Sequence, residues 1–255
     1  MFLPPRPRTR AISVMLRSLL GPALDLVWPR ACWICEAVIT ADRWSNGFCE
    51  GCLSRITSDP HPACPRCGNS MGPHALYEDG CSRCREQRFR FERTVRLGPY
   101  DDLLRIAVLR IKDDSGESLA ETLGEALGQA RQSELTEFQP DIIVPVPLHW
   151  RRRWERGYDQ SWAVARGISL ALNLQVMPGV LIRARSTKDQ RSLSATARWE
   201  NLRGAFRVRS NRGLLGRRVM LVDDVMTTGA TADAAAAALR EAGVAQVMVA
   251  VLAHR

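Results

Sequence analysis

The sequence predicts an α/β protein, a mostly parallel sheet flanked by helices and preceded by a small metal-stapled module. Two observations carry this. From about Phe91 onward, apolar strand patterns alternate with amphipathic helix patterns, the arrangement that builds a parallel sheet covered on both faces. Before that point the eight cysteines all fall in CxxC pairs, and long apolar strands are scarce. The chain therefore divides into residues 1–30, 31–90 and 91–255, with no flexible linker between the last two.

The first thirty residues begin "MFLPPRPRTR" and continue "AISVMLRSLLGPALDLVW", basic and then fairly apolar. Arg17 and Asp25 interrupt the apolar run and no small-residue cleavage site follows clearly, so an amphipathic helix is expected rather than a secretory signal. No run approaches the roughly 20 apolar residues of a membrane helix, so no membrane span and a cytoplasmic location are expected. In that compartment paired cysteines point to metal rather than to disulfides.

Cys32, Cys35, Cys49 and Cys52 recur as Cys64, Cys67, Cys81 and Cys84 after a constant shift of 32 positions. Each half has two CxxC pairs with 13 residues between them, close to the spacing of zinc sites. Thiolates in fours suit tetrahedral zinc and leave no open coordination position, so two structural ions are expected. Modules this small need such ions in order to fold. Two connectivities remain open: tandem ribbons, each closing on its own four cysteines, or a cross-braced pair. The repeat favours tandem sites, because a repeated unit should form a self-sufficient one. An iron–sulfur cluster fits the regular ribbon spacing less well. Arg66, Arg83 and Arg85 on the knuckles are the candidates there for touching nucleic acid.

In the α/β region "RTVRLGPY" reads as a strand, "GESLAETLGEALGQAR" as an amphipathic helix and "DIIVPVP" as a buried strand. A second helix, "YDQSWAVARGISLALNL", precedes a third strand, "VMLVD". The helix "TADAAAAALREAG", closed by Gly243, and the strand "QVMVAVLA" complete the series. The 255 residues carry a formal charge of +9, which suggests an anionic partner such as nucleic acid or a phosphorylated metabolite. Eight thiolates on two zinc ions would lower that figure to +5 (9 − 4), so the basic signal is weaker than the raw count.

The stretch "VMLVDDVMTTGATADA" concentrates the chemistry. Asp223 and Asp224 stand at the expected carboxyl end of a strand, where open α/β sheets bind ligands. Thr227, Thr228, Gly229 and Ala230 follow, and Thr231 is placed to cap a helix whose free N–H groups suit a phosphate. Adjacent carboxylates suit vicinal hydroxyls, so the ligand described is a sugar diol a short distance from a phosphate. This stretch resembles the phosphoribosyl diphosphate (PRPP) loop of type I phosphoribosyltransferases. The resemblance implies ribose hydroxyls on Asp223 and Asp224 and the 5′-phosphate on Thr227, Thr228, Gly229, Ala230 and Thr231.

Three further stretches, "LRIKDDSGESLAETLG", "VPVPLHWRRRWERGYDQS" and "STKDQRSLSATARWENLRGAF", join the amino-terminal CxxC pairs. Together they resemble the ComF family, phosphoribosyltransferase-like proteins linked to natural competence. The resemblance implies a type I phosphoribosyltransferase-like domain behind a double zinc ribbon. It makes the 147–157 loop, with Arg151, Arg152, Arg153 and Arg156, a site for pyrophosphate or nucleic acid, with magnesium as counterion. It makes residues 188–201 a polar, loop-like flap, with Lys188, Gln190 and Arg191 as contacts. No glutamine-hydrolysing half is expected, since every cysteine is committed to a pair. Trp150, Trp154 and Trp199 lie among arginines, as stacking on single-stranded DNA would need, although packing is the commoner use of tryptophan. Two functions stand side by side: a PRPP-binding protein of DNA uptake, with partners in the uptake machinery, and an active transferase with an unidentified acceptor. His61, His74, His149 and His254 are assigned no role.

Overall fold

The computed structural model describes residues 31–39, 47–72, 80–113, 115–148, 157–185 and 194–255. The helix expected within residues 1–30 lies outside them. The chain forms two compact units, Met1–Leu53 and Ser54–Arg255.

Four parallel strands make the main sheet of the larger unit: β1 (Arg93–Pro99), β2 (Ile142–Pro145), β5 (Arg218–Met226) and β6 (Gln246–His254), in the order β1-β6-β5-β2. Two short strands, β3 (Leu181–Arg183) and β4 (Phe206–Val208), pair antiparallel apart from it. The helices are α1 (Glu50–Thr57), α2 (Ser82–Glu86), α3 (Asp102–Arg110), α4 (Glu117–Ala130), α5 (Gln132–Glu137), α6 (Gln160–Leu172), α7 (Ala195–Leu202) and α8 (Ala230–Glu241). All the strands and helices expected from the sequence in the α/β region are present. The β3–β4 pair and helices α3, α5 and α7 have no counterpart among the elements expected from the sequence.

Alternation along the strands explains the two covered faces. Val219 and Leu221 of β5, with Val247, Val249 and Val251 of β6, share one apolar core with the alanine face of α8. Met220, Val222, Met248, Ala250 and Leu252 are buried as well, as strands covered on both sides require. Helices α4 and α6 cross so closely that a Cβ on Gly124 would collide with the Val164 carbonyl, and one on Gly167 with the Glu121 carbonyl. That close crossing sets the amino-terminal end of α6 beside β5, where Ser161 reaches the acidic pair.

The sequence placed the two aspartates at the end of a strand, and here the structure differs. Strand β5 runs on through Asp223 and Asp224 to Met226, paired with β6 at Asp223↔Val251, Val225↔Ala253 and Met226↔His254. Its pairing with β2 stops at Pro145↔Val222. The acidic pair thus begins where β5 loses one of its two neighbours, which opens that side of the sheet to a ligand.

Candidate functional site

Both carboxylates are tied into the backbone that carries them. Asp223 Oδ1 accepts from Ser161 Oγ at 2.9 Å and from the Asp224 N–H at 2.9 Å, and Asp224 Oδ1 accepts from the Val225 N–H at 2.7 Å. Lys112 Nζ lies 3.8 Å from Asp224 Oδ2. Burial pushes the Asp223 carboxyl up to about 8, the neighbouring Asp224 charge adds to the shift, and the Ser161 hydrogen bond opposes it. In the free protein near neutral pH, Asp223 is therefore largely a protonated acid, ready to exchange its proton for a ligand hydroxyl or a cation.

After Met226 the chain turns through Thr227 and Thr228 into Gly229, whose φ of 78° makes it the left-handed cap of α8. This corrects the expectation for Thr231, which lies within the first turn of α8 instead of capping it. A glycine takes the left-handed conformation without strain, so the cap falls two residues earlier. Thr228 Oγ1 accepts from the Ala230 N–H at 3.4 Å, and the N–H groups of the first helical turn have no carbonyl within the helix to bond. Asp223 and this loop border one cavity of about 410 Å³, with Lys112, Arg198 and Arg255 on its walls. Arg198 Nη1 lies 3.4 Å from Thr227 Oγ1. A cavity with a carboxyl at one side, the amino terminus of a helix at the other and three cations around it suits a phosphorylated polyol.

Of the residues singled out from the sequence, Asp223, Asp224, Thr227, Thr228, Gly229, Ala230 and Thr231 come together here. Arg151, Arg152, Arg153 and Arg156, and Lys188, Gln190 and Arg191, lie outside the described residues, as do Trp150, Trp154, His74 and His149. Residues 188–201 were expected to be loop-like throughout. From Ala195 they form α7, capped by Ser194, whose Oγ accepts from the Ala197 N–H at 3.3 Å. Sequence reasoning missed Ser161, Lys112 and Arg198. Each stood inside a stretch quoted above, but nothing local marked it as facing β5. Trp199 packs against Phe89, ring centroids 6.0 Å apart, which is the packing use. His254 is buried, and burial with the charges of Arg96 and Arg83 lowers it to about 4, so its ring is neutral.

The cysteines gather as Cys32, Cys35, Cys49 and Cys52, and as Cys64, Cys67, Cys81 and Cys84, the tandem arrangement. Within each set the sulfurs all lie within 4.8 Å of one another. A tetrahedron with Zn–S bonds of 2.3 Å has an edge of about 3.8 Å. The sulfur separations of 3.7 Å for Cys35–Cys49, 3.8 Å for Cys64–Cys84, 3.6 Å for Cys67–Cys81 and 3.9 Å for Cys81–Cys84 match that edge. As bare thiols the second set is in conflict. The Cys67 hydrogen bond holds Cys64 down to about 4 against its burial, while the same bond and burial push Cys67 up. A central divalent cation stabilises all four thiolates and removes the conflict, so both sets fit structural zinc.

Comparison with known proteins agrees with both halves of this description. A double zinc ribbon domain model matches residues 23–85, and a phosphoribosyl transferase domain model matches residues 160–255. Competence protein F of Haemophilus influenzae is 34% identical over 80% of this chain and 89% of its own length. DNA utilization protein YhgH of Escherichia coli is 34% identical over 88% of this chain and 96% of its own. Competence protein ComFC of Bacillus subtilis is 26% identical over 83% of this chain and 89% of its own. Among the described residues no helix is long and apolar enough to cross a membrane.

Proposed function

The chain belongs to the competence protein F family, and from that premise we propose that it binds PRPP and handles single-stranded DNA during DNA uptake. The observation that carries the PRPP reading is the one cavity bordered by Asp223 and the loop 227–231, with Asp224 beside it facing Lys112 of the cavity wall. The carboxylates accept the ribose hydroxyls and the loop amides take the 5′-phosphate. Lys112 and Arg198 offset the charge of the diphosphate together with Mg²⁺, and Arg151, Arg152, Arg153 and Arg156 supply further cations. Lys188, Gln190 and Arg191 close over the ligand. Calorimetry with PRPP and Mg²⁺ tests this: Asp223→Ala/Asp224→Ala should lose roughly 1–3 kcal/mol or more of binding free energy. Equal affinity in wild type and double variant would refute the placement. Pyrophosphate release with nucleobases, ammonia, glutamine or DNA as acceptor would turn the binding protein into a transferase.

The DNA reading is supported by the name of the relative called a DNA utilization protein and by a second cavity behind the loop. It measures about 740 Å³ and is bordered by Arg83, Arg88, Arg90, Arg203 and Trp199 against the alanine face of α8. Arg90 is partly engaged by Asp233, which leaves Arg88 and Arg203, both exposed, as the phosphate contacts. We place this handling in the cytoplasm, with the DNA-uptake machinery as partner. Arg88→Glu/Arg203→Glu should weaken binding of a labelled oligonucleotide, and wild-type binding should fall steeply with salt. Unchanged DNA affinity in that variant would move the site to the 147–157 loop. No binding by wild type at low salt would end the direct DNA reading.

A further inference from the structure

We propose that the second cysteine knuckle positions the phosphate loop, so that metal retention at Cys64, Cys67, Cys81 and Cys84 and ligand binding at residues 227–231 are thermodynamically linked. This rests on the PRPP reading of that loop and adds a regulatory input to it.

Three contacts from one short stretch, residues 83–90, hold the loop. Arg83 Nη1 donates to the Thr227 carbonyl at 3.3 Å, a contact between residues 144 positions apart. The Phe89 ring lies against Gly229, where a Cβ would stand 2.8 Å from Cε1, so ring and left-handed glycine are fitted to one another. Phe89 is itself stacked on Phe91 at 4.7 Å. The Arg90 N–H and Nη1 donate to Asp233 Oδ1 and Oδ2 at 2.7 and 2.6 Å, and the Asp233 N–H donates to the Gly229 carbonyl at 2.8 Å. Asp233 has a side chain only 3% exposed, so Arg90 is the partner that makes its burial tolerable. The loop is thereby gripped at its first residue, at its cap and in the first turn of its helix.

What holds that stretch in turn is the metal site. Helix α2 has five residues and no side-chain cap, too short to persist unaided. Cys81 and Cys84 flank Arg83 on either side, so a metal bound to both fixes the turn from which Arg83 reaches Thr227. The four cysteines also share the apolar core of α8 with Ala230, Ala232 and Ala235. Release of the metal frees α2, and the loop loses the Thr227 contact first. Linkage is reciprocal: a ligand that needs the loop in place must in turn hold the metal.

The test uses full-length, zinc-loaded protein. Zinc transfer to a chromophoric chelator in excess is followed with and without ribose 5-phosphate, which occupies loop and acidic pair without a diphosphate to bind zinc. Cys49→Ser, which removes the first site, assigns the phases. Ribose 5-phosphate is expected to slow release from the second site roughly tenfold and to leave release from the first unchanged. Arg83→Ala is expected to keep both zinc ions, to bind ribose 5-phosphate roughly tenfold more weakly and to lose the protection. Arg83→Lys, still able to donate to the Thr227 carbonyl, restores part of both. Ligand binding that slows neither phase, or both equally, overturns the linkage and leaves the PRPP reading intact. Failure of wild type to bind either ribose 5-phosphate or PRPP overturns that reading and the linkage together.

Discussion

The two knuckles share a backbone and differ in what surrounds it. In the first, the Cys32 N–H donates to the Ala37 carbonyl and the Glu36 N–H to the Cys32 carbonyl. In the second, 32 positions on, the Cys64 N–H donates to Asn69 and the Gly68 N–H to Cys64. Single bridges close both turns, Ala31↔Val38 and Ala63↔Ser70. Yet Cys35 is exposed and Cys49 half-buried, whereas Cys64, Cys67, Cys81 and Cys84 are all buried. The second knuckle is bolted to β1: the Thr94 N–H donates to the Pro65 carbonyl, Thr94 Oγ1 donates to the Arg66 carbonyl, and Arg96 Nη1 donates to the Gly68 carbonyl at 2.8 Å. Arg96 also grips Asp59 through Nε and Nη2, at 2.8 and 3.0 Å. One repeated device thus serves as a staple in the smaller unit and as a built-in part of the sheet domain in the larger.

The largest expected difference comes from removing one ligand of each site. Cys67→Ser should cost the Ser54–Arg255 unit several kcal/mol, roughly 10–20 °C in its unfolding midpoint, because metal binding there is folding free energy. Cys35→Ser should release one zinc and leave that main transition within a few degrees. Calorimetry with elemental analysis reads both, and equal shifts would break the distinction. Next in size, Arg96→Ala leaves Asp59 unpaired beside the knuckle and should cost about 3–5 kcal/mol, read by urea unfolding.

A smaller pair of changes compares the equivalent turn positions. Gly68 has φ 74° and Glu36 has φ 61°, both left-handed. A Cβ at Gly68 would meet Thr94 Cγ2 at 2.8 Å, so Gly68→Ala should cost about 1–3 kcal/mol. Glu36→Gly should relieve about 1 kcal/mol and tighten zinc at the first site, measured by chelator competition. A last comparison separates the cysteine sites from the acidic pair by pH. Acid weakens both knuckles, because protons compete with zinc for the thiolates. Asp223 acts in the opposite sense. Its folded value, about 8, stands above the ordinary 3.8, so its contribution is present below pH 4 and is lost as pH rises through 8. Stability between pH 5 and 9 should therefore fall less in Asp223→Asn than in wild type.

The parts of this molecule written in short-range pattern were legible. The constant offset between Cys32 and Cys64 favoured two self-contained sites over a cross-braced pair, which is how the cysteines group, and the alternation of apolar runs gave the sheet and its main helices. The run from Asp223 to Thr231 stood out by its residue types alone, and Asp223 and residues 227–231 do border one cavity. What escaped was set by partners far along the chain. Nothing near Arg83 announces Thr227, and nothing near Lys112 announces Asp224. Strands β3 and β4, three residues each, are too short to show a period of two. The cap moved from Thr231 to Gly229 because a left-handed glycine competes directly with a threonine side chain for the same turn.

The most direct measurement is amide hydrogen exchange across residues 227–233 and β1 in wild type, Cys49→Ser and Cys81→Ser, each saturated with zinc. The account expects Cys49→Ser to leave protection of these amides at the wild-type level. It expects Cys81→Ser to lower that protection by about 100-fold or more, as loss of roughly 3 kcal/mol of local stability requires. Wild-type protection of residues 227–233 in a Cys81→Ser protein that has lost its second zinc would contradict it.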